Sequence, residues 1–293
     1  MAQYEWSEVF MSIEGEGPYT GHPTAYIRFV GCNFTCMKFN NPENLDTTTD
    51  EGLGFNPKNY NNLKDIPLIT RGCDSIYSWD KRFSHLWHSG DENVLAGEVR
   101  KIAPYFVHPV SGQHLILSLT GGEPTLFWKK IPTLLQHETF RDLKHVLIET
   151  NCSVPFKEEF IERLATWLYG RANRKFTWSN SPKLPSVSGE SWEKAIQPKI
   201  ASMQRQLGHK SDQYFKFVCD DSEAAFDEVE AAMNEYINRD YALSLAPVYI
   251  MPMACTEQQQ EGIAARVAQK CIERGYIYCH RIQNSVFGNG VGT

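Results

Sequence analysis

Tyr26-Ile27-Arg28-Phe29-Val30-Gly31-Cys32-Asn33-Phe34-Thr35-Cys36 runs from an apolar, strand-like stretch straight into a loop carrying two cysteines. The same design recurs downstream, where the apolar run His114–Leu119 ends in Thr120-Gly121-Gly122-Glu123-Pro124. Further short runs at His145–Glu149, Lys175–Ser179, Tyr214–Val218, Val248–Met251 and Tyr276–His280 alternate with helical stretches. Those stretches are Thr125–Gln136, Pro155–Tyr169, Ser191–Gln206, Ser222–Asn238 and Glu257–Arg274. In the fourth, Ala225, Phe226, Val229, Ala232 and Met233 recur at three- and four-residue spacing, which makes one apolar helix face. Strand–helix alternation predicts parallel strands with helices outside. Adding strands at Glu8–Ile13 and Ala25–Val30 still leaves too few units for eight repeats. The expected α/β fold is therefore a partial TIM-like (β/α)6 barrel, one domain over residues 1–293.

Barrels of this kind carry their chemistry at the C-terminal ends of the strands, and the polar motifs fall there. Cys32 follows one strand, and Gly121-Gly122-Glu123 follows the next. Glu149-Thr150-Asn151, Ser179-Asn180-Ser181-Pro182-Lys183 and Met251-Pro252-Met253 end others. One shared site on one rim is the expectation. Residues 37–72 break the pattern: seven Asn, four Thr, three Pro and three Gly in 36 residues favour turns over a packed element. A stretch this long reads as a lid over the substrate, a dimer contact or a tolerated insertion within the domain.

With 293 residues the chain can bury a large core, and a net charge of −6 gives no general attraction to nucleic acid or to an anionic membrane. No apolar run approaches the roughly 20 residues of a membrane span. The opening Met1-Ala2-Gln3-Tyr4-Glu5-Trp6 lacks the basic and apolar regions of a signal peptide. The expectation is a cytoplasmic protein, where clustered cysteines bind metal more often than they form disulfides.

Cys32, Cys36 and Cys73 are the candidate ligand set among eight cysteines. Three thiolates can hold a four-iron cluster and leave its fourth iron open to a small molecule. A structural zinc site with His22, His85 or His88 is the competing reading, in a non-catalytic module stapled by the metal. Cys152, Cys219, Cys255, Cys271 and Cys279 stand singly and read as packing residues. Gly121 and Gly122 allow a ligand to lie against the backbone, and Glu123 adds a carboxylate that can accept from an ammonium group. In Phe10-Met11-Ser12-Ile13-Glu14-Gly15-Glu16-Gly17 two acids stand among glycines, and Arg28 projects from the neighbouring strand. Such a set can recognise a ligand with an amidine-like edge and a carboxylate. The Ser75 hydroxyl, two residues past Cys73, suits Mg²⁺.

Together these residues resemble the radical S-adenosylmethionine enzymes, and among them the 7-carboxy-7-deazaguanine synthase family. The match is nearly continuous over Phe10–Cys36. It continues at Cys73-Asp74-Ser75, Thr120–Pro124, Glu149-Thr150-Asn151 and Ser181-Pro182-Lys183, with weaker echoes at Met251-Pro252 and Phe287-Gly288-Asn289. The resemblance implies a [4Fe–4S] cluster on Cys32, Cys36 and Cys73, whose open iron takes the amino and carboxylate groups of S-adenosylmethionine. Gly121, Gly122, Glu123, Thr150, Ser153, Ser181 and Lys183 would hold that cofactor. Cleavage of the sulfonium would give a 5′-deoxyadenosyl radical that abstracts hydrogen from 6-carboxy-5,6,7,8-tetrahydropterin. Ring contraction with loss of ammonia would then yield 7-carboxy-7-deazaguanine, a lyase step of 7-deazapurine biosynthesis, as in the queuosine pathway. Ile13, Glu14, Glu16, Arg28 and Thr120 would contact the pterin, and Mg²⁺ on Ser75 would meet its carboxylate. The resemblance further implies a homodimer and an electron donor such as flavodoxin or ferredoxin. An activating enzyme for a glycyl-radical protein would share the cluster but not the Glu-Gly-Glu-Gly opening.

Four departures from the family pattern stand out. The second and third cysteines are separated by 36 residues rather than two, Glu14 replaces Gln, Ser75 replaces Thr, and Gln283 stands where an Arg-x-His has its histidine.

Overall fold

The structure is a computed structural model that describes residues 3–288 and 290–292. Met1 and Ala2 of the opening, and Asn289 of the tail match, lie outside the described residues. Among the described residues nine strands form one sheet: β1 Tyr4–Ile13, β2 Pro23–Phe29, β3 His88–Gly90, β4 Ile116–Gly121, β5 His145–Thr150, β6 Lys175–Asn180, β7 Ser211–Cys219, β8 Val248–Pro252 and β9 Ile277–Tyr278. Their order is β3-β1-β2-β4-β5-β6-β7-β8-β9. β1 runs antiparallel to both β2 and β3, and every pair from β2 to β9 is parallel. The sheet stays open, with β3 and β9 at its edges. The partial barrel thus has six long parallel strands as expected, plus a two-residue seventh.

The period-2 alternation of the strands divides the protein into a core and a site. Ala25, Ile27, Phe29, Leu117, Leu119, Val146, Ile148, Phe176, Trp178, Phe215 and Phe217 all point into one hydrophobic core. It is completed by helix residues such as Leu164, Phe226, Val229 and Val267. Their alternate neighbours Tyr26, Arg28, Thr120, Glu149 and Lys216 face the other way, into a cavity. Fully burying one such aromatic side chain is worth about 1.5–3 kcal/mol.

Departures from the expected elements trace to particular residues. The stretch Thr125–Gln136 is a 3-10 turn, Pro124–Phe127, followed by a short helix, Ile131–Leu135. Pro132 sits in the first turn of that helix, the position where a missing N–H costs least. Likewise Ser191–Gln206 splits into Trp192–Ala195 and Pro198–Gln204, because Pro198 starts a helix and keeps the residue before it out of the helical region. The helix Glu257–Arg274 has the expected bounds, opened by a capping box between Thr256 and Gln259 and closed by Gly275 at φ 75°. A helix at Glu92–Ile102 lies outside the sequence expectation; Asp91 caps it, accepting from the N–H groups of Asn93 and Val94.

Segment 37–72 is built of capped turns. Thr49 caps Asp50–Leu53, Asn56 caps Pro57–Asn59, and Asn62 caps Leu63–Asp65. The Asn41 amide donates to the carbonyls of Met37 and Leu45 and accepts from the Leu45 N–H. The asparagines that read as structureless are the parts that terminate and tie each turn. Leu53, Leu63 and Ile69 join Ile76, Tyr77, Phe83 and Leu86 in a second, smaller hydrophobic cluster.

Candidate active site

The Cys32 loop leaves β2 through Gly31, at φ 93°, and packs on the end of β4. Gly122 makes that approach possible: a Cβ there would lie 2.1 Å from the Gly31 carbonyl oxygen. The Glu123 N–H donates to the same oxygen at 2.8 Å. Cys36 is held at φ 49°, a left-handed conformation that a non-glycine residue adopts only when its surroundings enforce it. Glu190 enforces it, because its Oε1 accepts from the N–H groups of Thr35 (2.7 Å) and Cys36 (3.0 Å). Burial alone would raise the Glu190 carboxyl, but these N–H donors and Lys194 hold it below the ordinary range.

Cys32, Cys36 and Cys73 line one cavity of about 530 Å³, a size suited to a small-molecule site. The 36 intervening residues bring Cys73 back to its partners. Its Sγ lies 3.5 Å from the Ser75 hydroxyl, which in turn donates to the Gly121 carbonyl at 3.5 Å. Burial, then the Glu123 charge, push the Cys32 thiol up to about 12. Burial also raises Cys36 and Cys73. Thiolates in this wall therefore need a cationic centre to stabilise them. Among the described residues no three His, Cys, Asp or Glu side chains converge closely enough for a single ion. An iron–sulfur cluster sets each thiolate on a separate iron and does not ask for that convergence, so this donor set fits a cluster. The three histidines of the zinc reading do not line this cavity. His85 Nε2 lies against the Tyr60 carbonyl, His88 stacks on Trp6, and His22 sits beside His114.

Beside the cysteines lies a chain of buried charges. The Glu16 carboxylate accepts from the Lys216 ammonium and, at 2.9 Å, from Arg281 Nε, and Arg281 Nη1 donates to Asp74 at 2.7 Å. Burial would raise Glu16, but Lys216 and Arg281 overcome it and hold the carboxyl at about 2. Gly17, at φ 66°, lets this turn lie against the Tyr214 ring, where a Cβ would come within 2.9 Å. Glu14 has the opposite environment. Burial first, then Glu149 and Glu16, raise it well above the carboxylate range, with Lys216 only partly opposing, and the Tyr26 hydroxyl donates to it at 3.2 Å. Arg28 pairs with Glu8 at 2.6 Å and lies over the Phe10 and Tyr77 rings.

The cavity brings together Ile13, Glu14, Glu16, Arg28, Ser75, Thr120, Gly121, Gly122, Thr150, Ser181 and Lys183 from the sequence expectation. Glu123 and Ser153 stand behind this lining. Glu123 accepts from Thr125 N, Thr150 Oγ1 and Asn151 N, tying the ends of β4 and β5 together. Ser153 receives the Asn33 amide at 2.8 Å. Lys216 and Arg281 are cavity residues that stand outside the sequence motifs, and Glu149 and Asp74, quoted within their motifs but given no role, join them there. Lys216 carried a signal, as a lysine inside an apolar strand at an inward position. Glu190 carried none. Cys255, read as packing, also lines the cavity and donates to the Gly72 carbonyl at 3.6 Å.

No protein-family model matches this chain. Proteins named 7-carboxy-7-deazaguanine synthase do. The one from Methanopyrus kandleri is 25% identical over 87% of this chain and 83% of its own length. The one from Pyrobaculum aerophilum is 24% identical over 97% and 95%. The one from Bacteroides thetaiotaomicron is 53% identical over 29% and 46%. Among solved structures, QueE from Escherichia coli aligns over 95% of this chain and 93% of its own, with a TM-score of 0.49 at 17% identity. No helix among the described residues is long and apolar enough to cross a membrane. Over nearly its whole length, this chain resembles the 7-carboxy-7-deazaguanine synthases, radical S-adenosylmethionine enzymes.

Proposed function

We propose that the protein converts 6-carboxy-5,6,7,8-tetrahydropterin to 7-carboxy-7-deazaguanine with release of ammonia. The observation that carries this reading is one cavity lined by both Cys32, Cys36 and Cys73 and the acid–arginine set Glu14, Glu16 and Arg28. When bound, a reduced [4Fe–4S] cluster with S-adenosylmethionine supplies the hydrogen-abstracting radical. The chain itself binds and orients. Glu16, kept anionic by Lys216 and Arg281, accepts the N–H donors of the pterin's amidine-like edge. Burial and the neighbouring acids favour the protonated form of Glu14, which would present a donor and an acceptor, the pattern of the family's glutamine amide. Ile13, Thr120 and Arg28 complete this wall. Gly121, Gly122, Thr150, Ser181 and Lys183 offer S-adenosylmethionine a backbone-lined shelf, with Glu123 and Ser153 fixing it from behind. Lys183 donates to the Ser181 hydroxyl at 2.9 Å. The Ser75 hydroxyl and Gly121 carbonyl, side by side, would offer Mg²⁺ hard oxygen donors. An electron donor such as flavodoxin or ferredoxin, a homodimeric state and a cytoplasmic setting belong to the same reading.

The test is anaerobic reconstitution followed by incubation with S-adenosylmethionine, dithionite, Mg²⁺ and the carboxytetrahydropterin. The deazaguanine product is expected. 5′-Deoxyadenosine without that product would point to another substrate or to a glycyl-radical activase. Colourless, zinc-loaded protein would mean a binding module.

A further inference from the structure

We infer that Trp79 tunes electron entry into the site: its indole N–H donates to the Cys73 sulfur, so that a cluster held by that thiolate is easier to reduce. The inference goes beyond the reaction proposed above and rests on that reading only for the iron–sulfur cluster. Trp79 is a positioning residue in this role, because it acts through Cys73 and does not line the cavity.

Cys73 opens a tight turn. Its carbonyl accepts from the Ile76 backbone N–H at 3.1 Å, the Ser75 carbonyl from that of Ser78 at 2.9 Å, and the Ile76 carbonyl from that of Trp79 at 3.1 Å. The chain folds back on itself, and Cys73 and Trp79 both pack on the second hydrophobic cluster. Two ties fix the turn from outside. The Gly31 N–H donates to the Ser78 carbonyl at 2.9 Å, which joins the turn to the Cys32 loop, and Arg82 pairs with Asp80 at 2.6 Å.

The Trp79 Nε1 is buried and meets no oxygen or nitrogen acceptor among the described residues. Trp87 shows the ordinary solution, giving its indole N–H to the Tyr77 carbonyl at 2.7 Å. A buried donor left orphaned is costly, and the acceptor within reach of this one is the Cys73 sulfur. Burial and then the Asp74 charge raise the Cys73 thiol, while hydrogen bonds from the Ser75 and Trp79 side chains oppose them. A thiol is a weak acceptor and a thiolate a stronger one, so the contact strengthens when Cys73 serves as an iron ligand. Electron entry strengthens it again. One-electron reduction, with dithionite as the donor, breaks no bond, adds one negative charge to the iron–sulfur centre and its thiolates, and leaves the indole proton in place. Donors to the sulfurs favour the more negative state and so raise the potential. The Cys32 sulfur, by comparison, accepts from a backbone N–H, that of Phe34 at 3.4 Å. The indole is a donor that one substitution removes without touching the cavity lining.

The test is a redox titration of anaerobically reconstituted wild type and Trp79→Phe, read by electron paramagnetic resonance. Phenylalanine keeps an aromatic ring on the hydrophobic cluster and removes the N–H. At any fixed potential the ratio of reduced to oxidised cluster should be about ten-fold lower in the variant, the worth of one hydrogen bond to a charged group. For a one-electron couple that is a downward shift of about 59 mV. With dithionite in excess, KM for S-adenosylmethionine and for the carboxytetrahydropterin should not change. Equal potentials at equal iron content overturn the inference and leave Trp79 a packing role. Wild type carrying tryptophan labelled with heavy nitrogen at the indole decides the matter even if the variant loads iron poorly. Its reduced cluster should show coupling to an indole nitrogen in pulsed resonance spectra, and absence of that coupling also overturns the inference. A shifted potential in a protein that makes no deazaguanine would leave the Trp79 contact standing and refute the reaction; product with equal potentials means the reverse.

Discussion

Replacing Lys216 with methionine removes the buried ammonium and keeps most of the side chain's bulk. In the native protein Glu16 titrates near 2 against an ordinary 4.5, a displacement of about 2.5 pH units that Lys216 leads and Arg281 shares. At about 1.4 kcal/mol per unit, the ionised Glu16 contributes on the order of 3 kcal/mol at pH 7. A carboxyl lowered on folding stabilises the protein above its unfolded value near 4.5 and loses that contribution as the pH falls toward 2. Lys216→Met should therefore cost about 3 kcal/mol at pH 7, within the range for breaking one side of a buried ion pair. The gap should fall below half that near pH 3, where the unfolded chain already binds the proton that the folded Glu16 still refuses. Urea titrations of both proteins at pH 7 and pH 3 measure this directly. A gap that is absent at pH 7, or that is equal at both pH values, would refute the reasoning, because it would assign Lys216 a packing role only.

Glu14→Gln should leave turnover intact, since a protonated carboxyl and an amide present the same donor and acceptor. Because burial and Glu149 raise Glu14, wild type loses stability as the pH rises above the unfolded carboxyl value; the variant should match it near pH 4 and exceed it at pH 8 in urea midpoints. Gly122→Ala drives a methyl into the Gly31 carbonyl, so a loss of about 1–3 kcal/mol in thermal or urea unfolding, with poorer iron loading, is expected. Glu190→Gln retains an acceptor but not the charge that holds two N–H groups, and faster amide exchange at Thr35 and Cys36 should report the loosened loop.

The sequence disclosed the parts of the site that follow local rules. Cys32 and Cys36 come four residues apart on one loop, and Gly121-Gly122 announces a close backbone approach, so both could be placed at a strand end. Cys73 was a candidate ligand from the sequence, but how it returns to Cys32 and Cys36 needed the fold, because nothing in the composition of 37–72 says that its asparagines cap turns which bring the chain back to its start. Glu190 acts on backbone N–H groups some 155 residues away, and a carboxylate that serves a backbone leaves no pattern in the residues it serves. Lys216 was legible only in the period of its strand, as a charged residue at an inward position among apolar neighbours, whereas Glu149 stood in the strand-end motif Glu149-Thr150-Asn151 without a role attached to it. Helix bounds failed where a proline restarted a helix, at Pro132 and Pro198, and held where caps were explicit, as at Thr256 and Gly275.

The central claim is that three thiols, two on one short loop and one delivered by a structured insert, grip one iron–sulfur cluster. Metal analysis of anaerobically reconstituted wild type and Cys73→Ala tests it most directly. The account predicts about four iron atoms per wild-type chain, with loading lost in Cys73→Ala as fully as in Cys32→Ala. Zinc in place of iron, or iron retained unchanged without Cys73, would contradict it.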